Sequence, residues 1–66
     1  MRKWSVAEVV EFFEGRDMAA AALLLKQSDV NGLDLSKLSA EDCRNLRASG
    51  FLAGKILLAR DEFLNA

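Results

Sequence analysis

The sequence contains no histidine, no tyrosine and no proline, and it has a single cysteine among its 66 residues. Without histidine, the chain lacks the side chain that most often serves as a general base near neutral pH and as a metal ligand. One cysteine allows neither an internal disulfide nor a CxxC metal site. The residue types therefore argue against an enzyme, and we expect no catalytic residue, no metal and no cofactor.

The composition is that of one small globular domain covering residues 1–66. It is 52% hydrophobic and 29% charged, and a chain of this size buries only about 60% of its unfolded surface. The longest apolar run, residues 18–25, is far shorter than the ~20 residues that cross a membrane. No long apolar run follows the basic N-terminus, as it would in a signal peptide. We expect an intracellular protein, cytoplasmic or nuclear, in a reducing compartment and without membrane insertion.

The first helix has clear start and stop signals. Ser5 is followed three residues later by Glu8, which is the spacing of a capping box. The apolar residues behind it recur at helical spacing, and Gly15 is a natural stop. These signals predict a helix over residues 5–14, with Trp4 packed back against its first turn.

The middle of the chain predicts a second helix and a short third one. Asp17 is expected to cap a helix that continues through the alanine-leucine run to Gln27, since alanine is the best helix former. The pair Asn31-Gly32 indicates a tight turn, because both residues tolerate a positive φ. One or two helical turns are predicted over residues 33–37.

The last third of the chain predicts two more helices. Ser39 is expected to cap a fourth helix, with Asp42 at the capping-box position and an end near Arg47. Ser49-Gly50 interrupts the pattern, and residues 51–64 predict a long final helix. The sequence therefore predicts a compact all-α bundle of five helices, with Cys43 as a small buried residue.

Two stretches resemble ligand loops but have the wrong spacing. Gly50 and Gly54 precede a lysine, but a phosphate-binding loop needs one more residue between its glycines and a Ser or Thr where Ile56 stands. A calcium loop starting at Asp29 would need glycine sixth and glutamate twelfth, and the chain has Asp34 and Ala40 there. We expect neither a phosphate site nor a calcium site.

Charge is distributed unevenly along the chain. Residues 1–22 have a net charge of −1, residues 23–43 of −2 and residues 44–66 of +2. Complementary potentials of this kind orient protein association. Several charges of each sign are also ordinary on a solvated surface, so the distribution alone leaves both interpretations open.

These residues together resemble the sterile alpha motif (SAM) domain, over essentially the whole chain. The family pattern is matched by Trp4, Ser5, Glu8-Val9, Phe12-Phe13, Val30-Asn31-Gly32, Leu35, Leu38, Ser39, Asp42-Cys43, Leu46 and the final helix. Arg47 stands where the family usually has glycine. Leu52-Ala53-Gly54 stands where the family usually has Gly-x-Arg at the start of the last helix.

The resemblance implies a five-helix SAM-like bundle that binds proteins and has no small-molecule substrate. In the family, an acidic mid-loop surface meets the basic start of helix 5, called the end-helix surface, on another SAM domain, either of the same kind or of another. A contact between unlike surfaces can produce a homo-oligomer or a filament that acts as a signalling scaffold. The mid-loop candidates are Asp34, Glu41 and Asp42, and the end-helix candidates are Arg47, Leu52, Ala53 and Lys55.

Two other interpretations remain open at this point. Some SAM domains bind RNA hairpins through a basic patch near helix 5, and Arg44, Arg47 and Lys55 could form one. The net charge of −1 argues against nucleic acid, because phosphate binding depends on many cations. The domain could also be a structural unit of a larger protein that binds nothing.

Overall fold

The computed structural model describes residues 1–65, and this part of the chain forms five α-helices and no β-strand. The helices are α1 (Val6–Glu14), α2 (Ala19–Gln27), α3 (Gly32–Ser36), α4 (Ala40–Asn45) and α5 (Gly50–Leu64). The bundle measures 25 × 24 × 21 Å. The predicted compact all-α fold of five helices, with the longest at the C-terminal end, is confirmed.

Side-chain caps begin four of these helices. The side chains of Ser5, Asn31 and Ser39 each accept a hydrogen bond from a backbone N–H three residues later, and the acid at that position accepts from the N–H of the cap. Ser49 caps α5 by accepting from the N–H of Leu52. The boxes predicted at Ser5 and Ser39 are confirmed, and the box at Asn31 was not expected.

Three corners between helices contain a residue in the left-handed region. Asp17, Asp29 and Arg47 have φ of 61°, 53° and 65°. After α4, the N–H groups of Arg47 and Ala48 donate to carbonyls of the last helical turn at 2.9 and 3.0 Å, which is the Schellman pattern. Glycine is the usual residue in this conformation, because it has no Cβ to clash. At all three corners this chain has a residue with a side chain instead.

The roles predicted for Asp17 and for the Asn31-Gly32 pair were wrong. Asp17 has the left-handed conformation that ends α1, whereas a cap residue needs an extended one. The cap position of α2 belongs to Met18, which makes no side-chain cap bond. Asn31 has φ of −88° and Gly32 has no positive φ, because the chain has already turned at Asp29.

Gly32 is needed instead for a close approach of two backbone segments. Its N–H donates to the carbonyl of Trp4 at 2.9 Å. A Cβ added to Gly32 would lie 1.7 Å from the carbonyl oxygen of Met1 and 2.7 Å from the Cβ of Trp4. Residues 1–4 therefore lie directly over the start of α3, and only glycine leaves room for them.

The hydrophobic core takes residues from all five helices. Small side chains at Ala21 and Ala22 are buried where α2 packs along α1. Trp4 packs on Phe12 and Phe63, with ring centroids 5.3 and 4.9 Å apart. The buried apolar residues are Val9, Phe13, Ala21, Ala22, Leu25, Val30, Leu35, Leu38, Cys43, Ile56 and Ala59. The predicted burial of Cys43 is confirmed.

Candidate interaction surfaces

A shallow groove of about 360 Å³ opens between α3 and α4. Its apolar lining residues are Val30, Leu38 and Leu46, which we call its floor, and Asp34 and Asp42 are among its polar lining residues. Both acids are exposed. We call this feature the mid-loop groove. The structure thus places two of the three predicted mid-loop acids around one apolar depression.

Both groove acids also support the fold. One carboxylate oxygen of Asp34 accepts from the N–H of Asn31 at 3.4 Å, and one oxygen of Asp42 accepts from the N–H of Ser39 at 3.0 Å. These are the capping boxes that begin α3 and α4. Within residues 1–65 the second oxygen of each carboxylate accepts no hydrogen bond, so each acid keeps an oxygen and its charge for a partner.

The surroundings of the groove are acidic overall. Lys37 also lines the groove and offsets one of its two carboxylates. Glu41 lies outside the lining, on the exposed first turn of α4, and no ion pair in residues 1–65 involves it. Glu41 is therefore the predicted mid-loop residue that can be changed without removing a cap.

The start of α5 presents an exposed aromatic ring beside an exposed cation. Phe51 is 76% exposed, and the Nζ of Lys55 lies over its ring, 4.6 Å from the ring centroid. An ammonium group in this position is attracted by the negative face of the ring. The ring and the ammonium group therefore lie side by side on one face of α5, since residues four apart share a helix face.

Phe51 was not among the predicted site residues. A signal for it existed in the sequence, because the apolar stripe of residues 52, 56, 59 and 63 leaves Phe51 off the buried face of α5. A hollow of about 340 Å³ beside Phe51 is also lined by Leu52, Lys55 and residues at the start of α2. We call Phe51, Leu52 and Lys55 the end-helix surface.

The other two predicted end-helix residues have different positions. Ala53 is half-buried and packs against the core. Arg47 is exposed, but it belongs to the corner after α4 and lines neither the groove nor the hollow. The structure therefore brings together Leu52 and Lys55 of the predicted set, and it leaves Arg47 outside the hollow.

Arg60 does not contribute to the free basic surface. Its side chain is 13% exposed, and its Nη1 donates to the carbonyls of Leu35 and Leu38 at 3.1 and 2.7 Å. Its Nε pairs with Asp61 at 2.6 Å. Arg60 thus attaches α5 to the end of α3 and to Leu38, which lines the mid-loop groove. Nothing in the local sequence pointed to this contact, because it joins residues far apart in the chain.

The cations left on the surface near α5 are few but close in sequence. Arg16 pairs with Glu62. Arg44, Arg47 and Lys55 are exposed, and none of them belongs to an ion pair in the part of the chain that the structure describes. The basic character predicted for the last third of the chain is therefore carried on the surface by these three residues.

The single cysteine, Cys43, is free and buried in the core. Burial, together with the negative charge of Asp42, raises the pKa of the Cys43 thiol, and Arg60 lowers it in part. A thiol that keeps its proton is a poor nucleophile.

Among residues 1–65 no group of three His, Cys, Asp or Glu side chains could hold a metal ion. In the same range no helix has the length and apolar character to cross a membrane.

A scan against models of known protein families, and searches of curated proteins and of solved structures, gave no match for this chain. The relation to SAM domains therefore remains a prediction from the sequence pattern. The geometry described above stands without it.

Proposed function

We propose that this chain is a protein-interaction module of the SAM type, which associates head to tail with another SAM domain, including a second copy of itself. The observation that carries the proposal is the presence, on one chain, of an acidic groove with an apolar floor and a basic surface with an exposed ring. The two hollows share no lining residue. One copy can therefore use both surfaces, and such a heterologous contact builds rings or filaments.

Charge complementarity supports this pairing. Asp34 and Asp42 both line the groove, with Glu41 next to Asp42 in α4, and the end-helix surface offers Lys55. Each exposed ion pair contributes only about 0–1 kcal/mol. The charges therefore serve mainly to orient the two copies. Since exposed charges are screened by salt, the association is expected to weaken as the salt concentration rises.

An RNA hairpin is the alternative partner, and the distribution of cations makes it the weaker candidate. Arg60 is used inside the fold and Arg16 is paired, which leaves three free cations near α5. Nucleic-acid binding rests on the neutralisation of many phosphates. An RNA complex with a steep salt dependence would favour the alternative over the protein partner.

Sedimentation over a range of protein concentrations, at low and high salt, tests the proposal. We expect species larger than a monomer to increase with concentration and to decrease with salt. A Kd of about 1 mM corresponds to only about −4 kcal/mol. A chain that is still fully monomeric at about that concentration in low salt would rule out self-association.

Charge reversal on each surface identifies the contact. Lys55→Glu should block the end-helix surface, and Glu41→Lys should weaken the groove without removing a cap. Each variant alone should assemble less than the wild type, while a mixture of the two should form a dimer through the remaining intact surfaces. Lys26→Glu, which makes the same charge change on α2 outside both surfaces, is the matched control and should assemble normally.

A further inference from the structure

We infer that Phe51 is the apolar anchor of the head-to-tail contact, and that its ring enters the mid-loop groove of a second copy while Lys55 meets the carboxylates at the rim. This inference rests on the proposed function. It adds the residue on which the affinity of the contact depends, and that residue is absent from the set predicted by sequence.

The exposure of Phe51 is unusual within this chain. It is the most exposed large apolar side chain in residues 1–65, at 76%. It also lies on the first turn of α5, whose start is fixed by the Ser49 cap. A ring in a fixed place loses little freedom on binding, and aromatic residues, phenylalanine among them, are enriched in the cores of protein interfaces.

The groove matches this side chain in size and in chemistry. Its volume of about 360 Å³ has room for one aromatic ring. Val30 and Leu38 on its floor are 6% and 8% exposed, so the floor is set firmly into the core. The carbonyl of Leu38 is also held by Arg60 at 2.7 Å. The groove is therefore already formed before a partner arrives.

The contact between Lys55 and Phe51 determines which partner fits. The groove needs an apolar group for its floor and a cation for its rim, close to each other. Phe51 and Lys55 supply both, with the ammonium 4.6 Å from the ring centroid. An ammonium group that enters with the ring would pair with the carboxylate oxygens of Asp34 and Asp42 that accept no hydrogen bond from the capping boxes. This complementarity identifies a second copy as the occupant.

Other exposed apolar side chains lack this combination. Leu23 is 55% exposed, but it lies on α2 and lines none of the hollows described above. It therefore provides a matched control for the loss of exposed apolar surface. If any exposed apolar group could drive association, Leu23→Ala and Phe51→Ala would have the same effect.

The test isolates a single contact between two blocked copies. A Lys55→Glu copy associates mainly through its intact groove, and a Glu41→Lys copy mainly through its intact end-helix surface, because each charge reversal weakens the other surface. The Kd of this pair is measured by calorimetry, first with Phe51 intact and then with Phe51→Ala or Leu23→Ala added to the Glu41→Lys copy. We expect Phe51→Ala to weaken the pair at least tenfold and Leu23→Ala to leave it unchanged. Circular dichroism of each variant verifies that it is folded.

The outcomes separate this inference from the proposed function. If the two blocked copies fail to pair while Phe51 is intact, the head-to-tail proposal is wrong and the anchor is wrong with it. If they pair and Phe51→Ala weakens the pair by less than tenfold, the anchor role is wrong while the head-to-tail proposal stands. An equal loss for Leu23→Ala would also overturn the anchor, because the effect would then not be specific to the ring.

Discussion

The α3–α4 region and the first turns of α5 use their side chains in opposite ways. In α3–α4, the carboxylates of Asp34 and Asp42 cap their own helices, and Arg60 reaches in from α5 to bind two carbonyls. At the start of α5, Phe51 and Lys55 contact each other and point into solvent. The polar side chains of the first region make hydrogen bonds within the fold. The side chains of Phe51 and Lys55 in the second region remain exposed and available to a partner.

This difference predicts how the two regions respond to mutation. Changes to the contacts that hold α3–α4 in place, such as those of Gly32 and Arg60, should reduce the stability of the fold. Changes at the start of α5 should alter association and leave stability nearly unchanged. A groove held by internal hydrogen bonds also needs little ordering when a partner docks. The five predictions below test this contrast, from the largest expected effect to the smallest.

Gly32→Ala is expected to have the largest effect. The added methyl group would overlap the carbonyl oxygen of Met1, so residues 1–4 would have to leave the start of α3. We expect a loss of about 3 kcal/mol, at the upper end for overpacking, as measured by urea unfolding. Gly54→Ala is the control: its Cβ would meet no atom, and alanine in a helix should stabilise by about 0.5–1 kcal/mol.

Arg60→Gln should destabilise the fold by about 2 kcal/mol, because hydrogen bonds from a charged group contribute about 1.5–3 kcal/mol. The carbonyls of Leu35 and Leu38 would lose their charged donor. Thermal unfolding of Arg44→Gln provides the comparison. Arg44 is exposed, so its replacement should change the free energy of unfolding by less than ~0.5 kcal/mol. Equal effects for the two variants would show that Arg60 does not hold α5 to α3.

Arg47→Gly should stabilise the fold by about 1 kcal/mol, because it removes a side chain from a left-handed position. The φ of Arg47 is 65°. The greater flexibility of glycine in the unfolded chain offsets part of the gain. Arg47→Ala removes the same charge but keeps the unfavourable conformation, so it should not stabilise. If both variants behave alike in urea unfolding, the backbone conformation is not the cause.

Stability should fall in alkaline solution partly because of Cys43. Burial and the charge of Asp42 raise the thiol pKa above its ordinary value of 9.0, so the folded chain keeps a proton that the unfolded chain loses. The contribution is fully present below that value and is lost as the pH rises through the folded pKa. Urea unfolding at several pH values should show a smaller alkaline decline for Cys43→Ala than for the wild type. Parallel declines would contradict the assignment to this thiol.

Phe51→Ala should have the smallest effect on stability, within about 0.5 kcal/mol, as for other surface substitutions. The ring is largely exposed, and an exposed cation–π contact contributes only about 0.5–1 kcal/mol. Thermal unfolding of the monomer at low concentration measures this. A loss well above ~1 kcal/mol would mean that the ring supports the fold, and the contrast between the two regions would fail.

Local features of the fold were predictable and distant contacts were not. The boxes at Ser5 and Ser39 each join residues three apart, so the sequence displays both partners side by side. The left-handed conformation of Asp17 and Asp29 depends on how α1 and α2 must turn to pack. This packing is not visible in the sequence, so the pattern of turn-forming residues led to a prediction of the turn at Asn31-Gly32 instead. Of the candidate site, Asp34, Asp42, Leu52 and Lys55 were named in advance, but the apolar floor of the groove and the ring of Phe51 were not.

The sequence by itself determined the number, order and approximate bounds of the helices, because apolar spacing and capping are properties of short segments. It also showed that residues 23–43 carry a net negative charge and residues 44–66 a net positive charge. Only the tertiary structure decided that Gly32 is needed for contact with Met1 and that Arg60 is used inside the fold. It also placed the exposed ring of Phe51 beside a hollow lined by residues at the start of α2. These outcomes depend on which distant residues meet when the core forms, and a linear pattern does not contain that information.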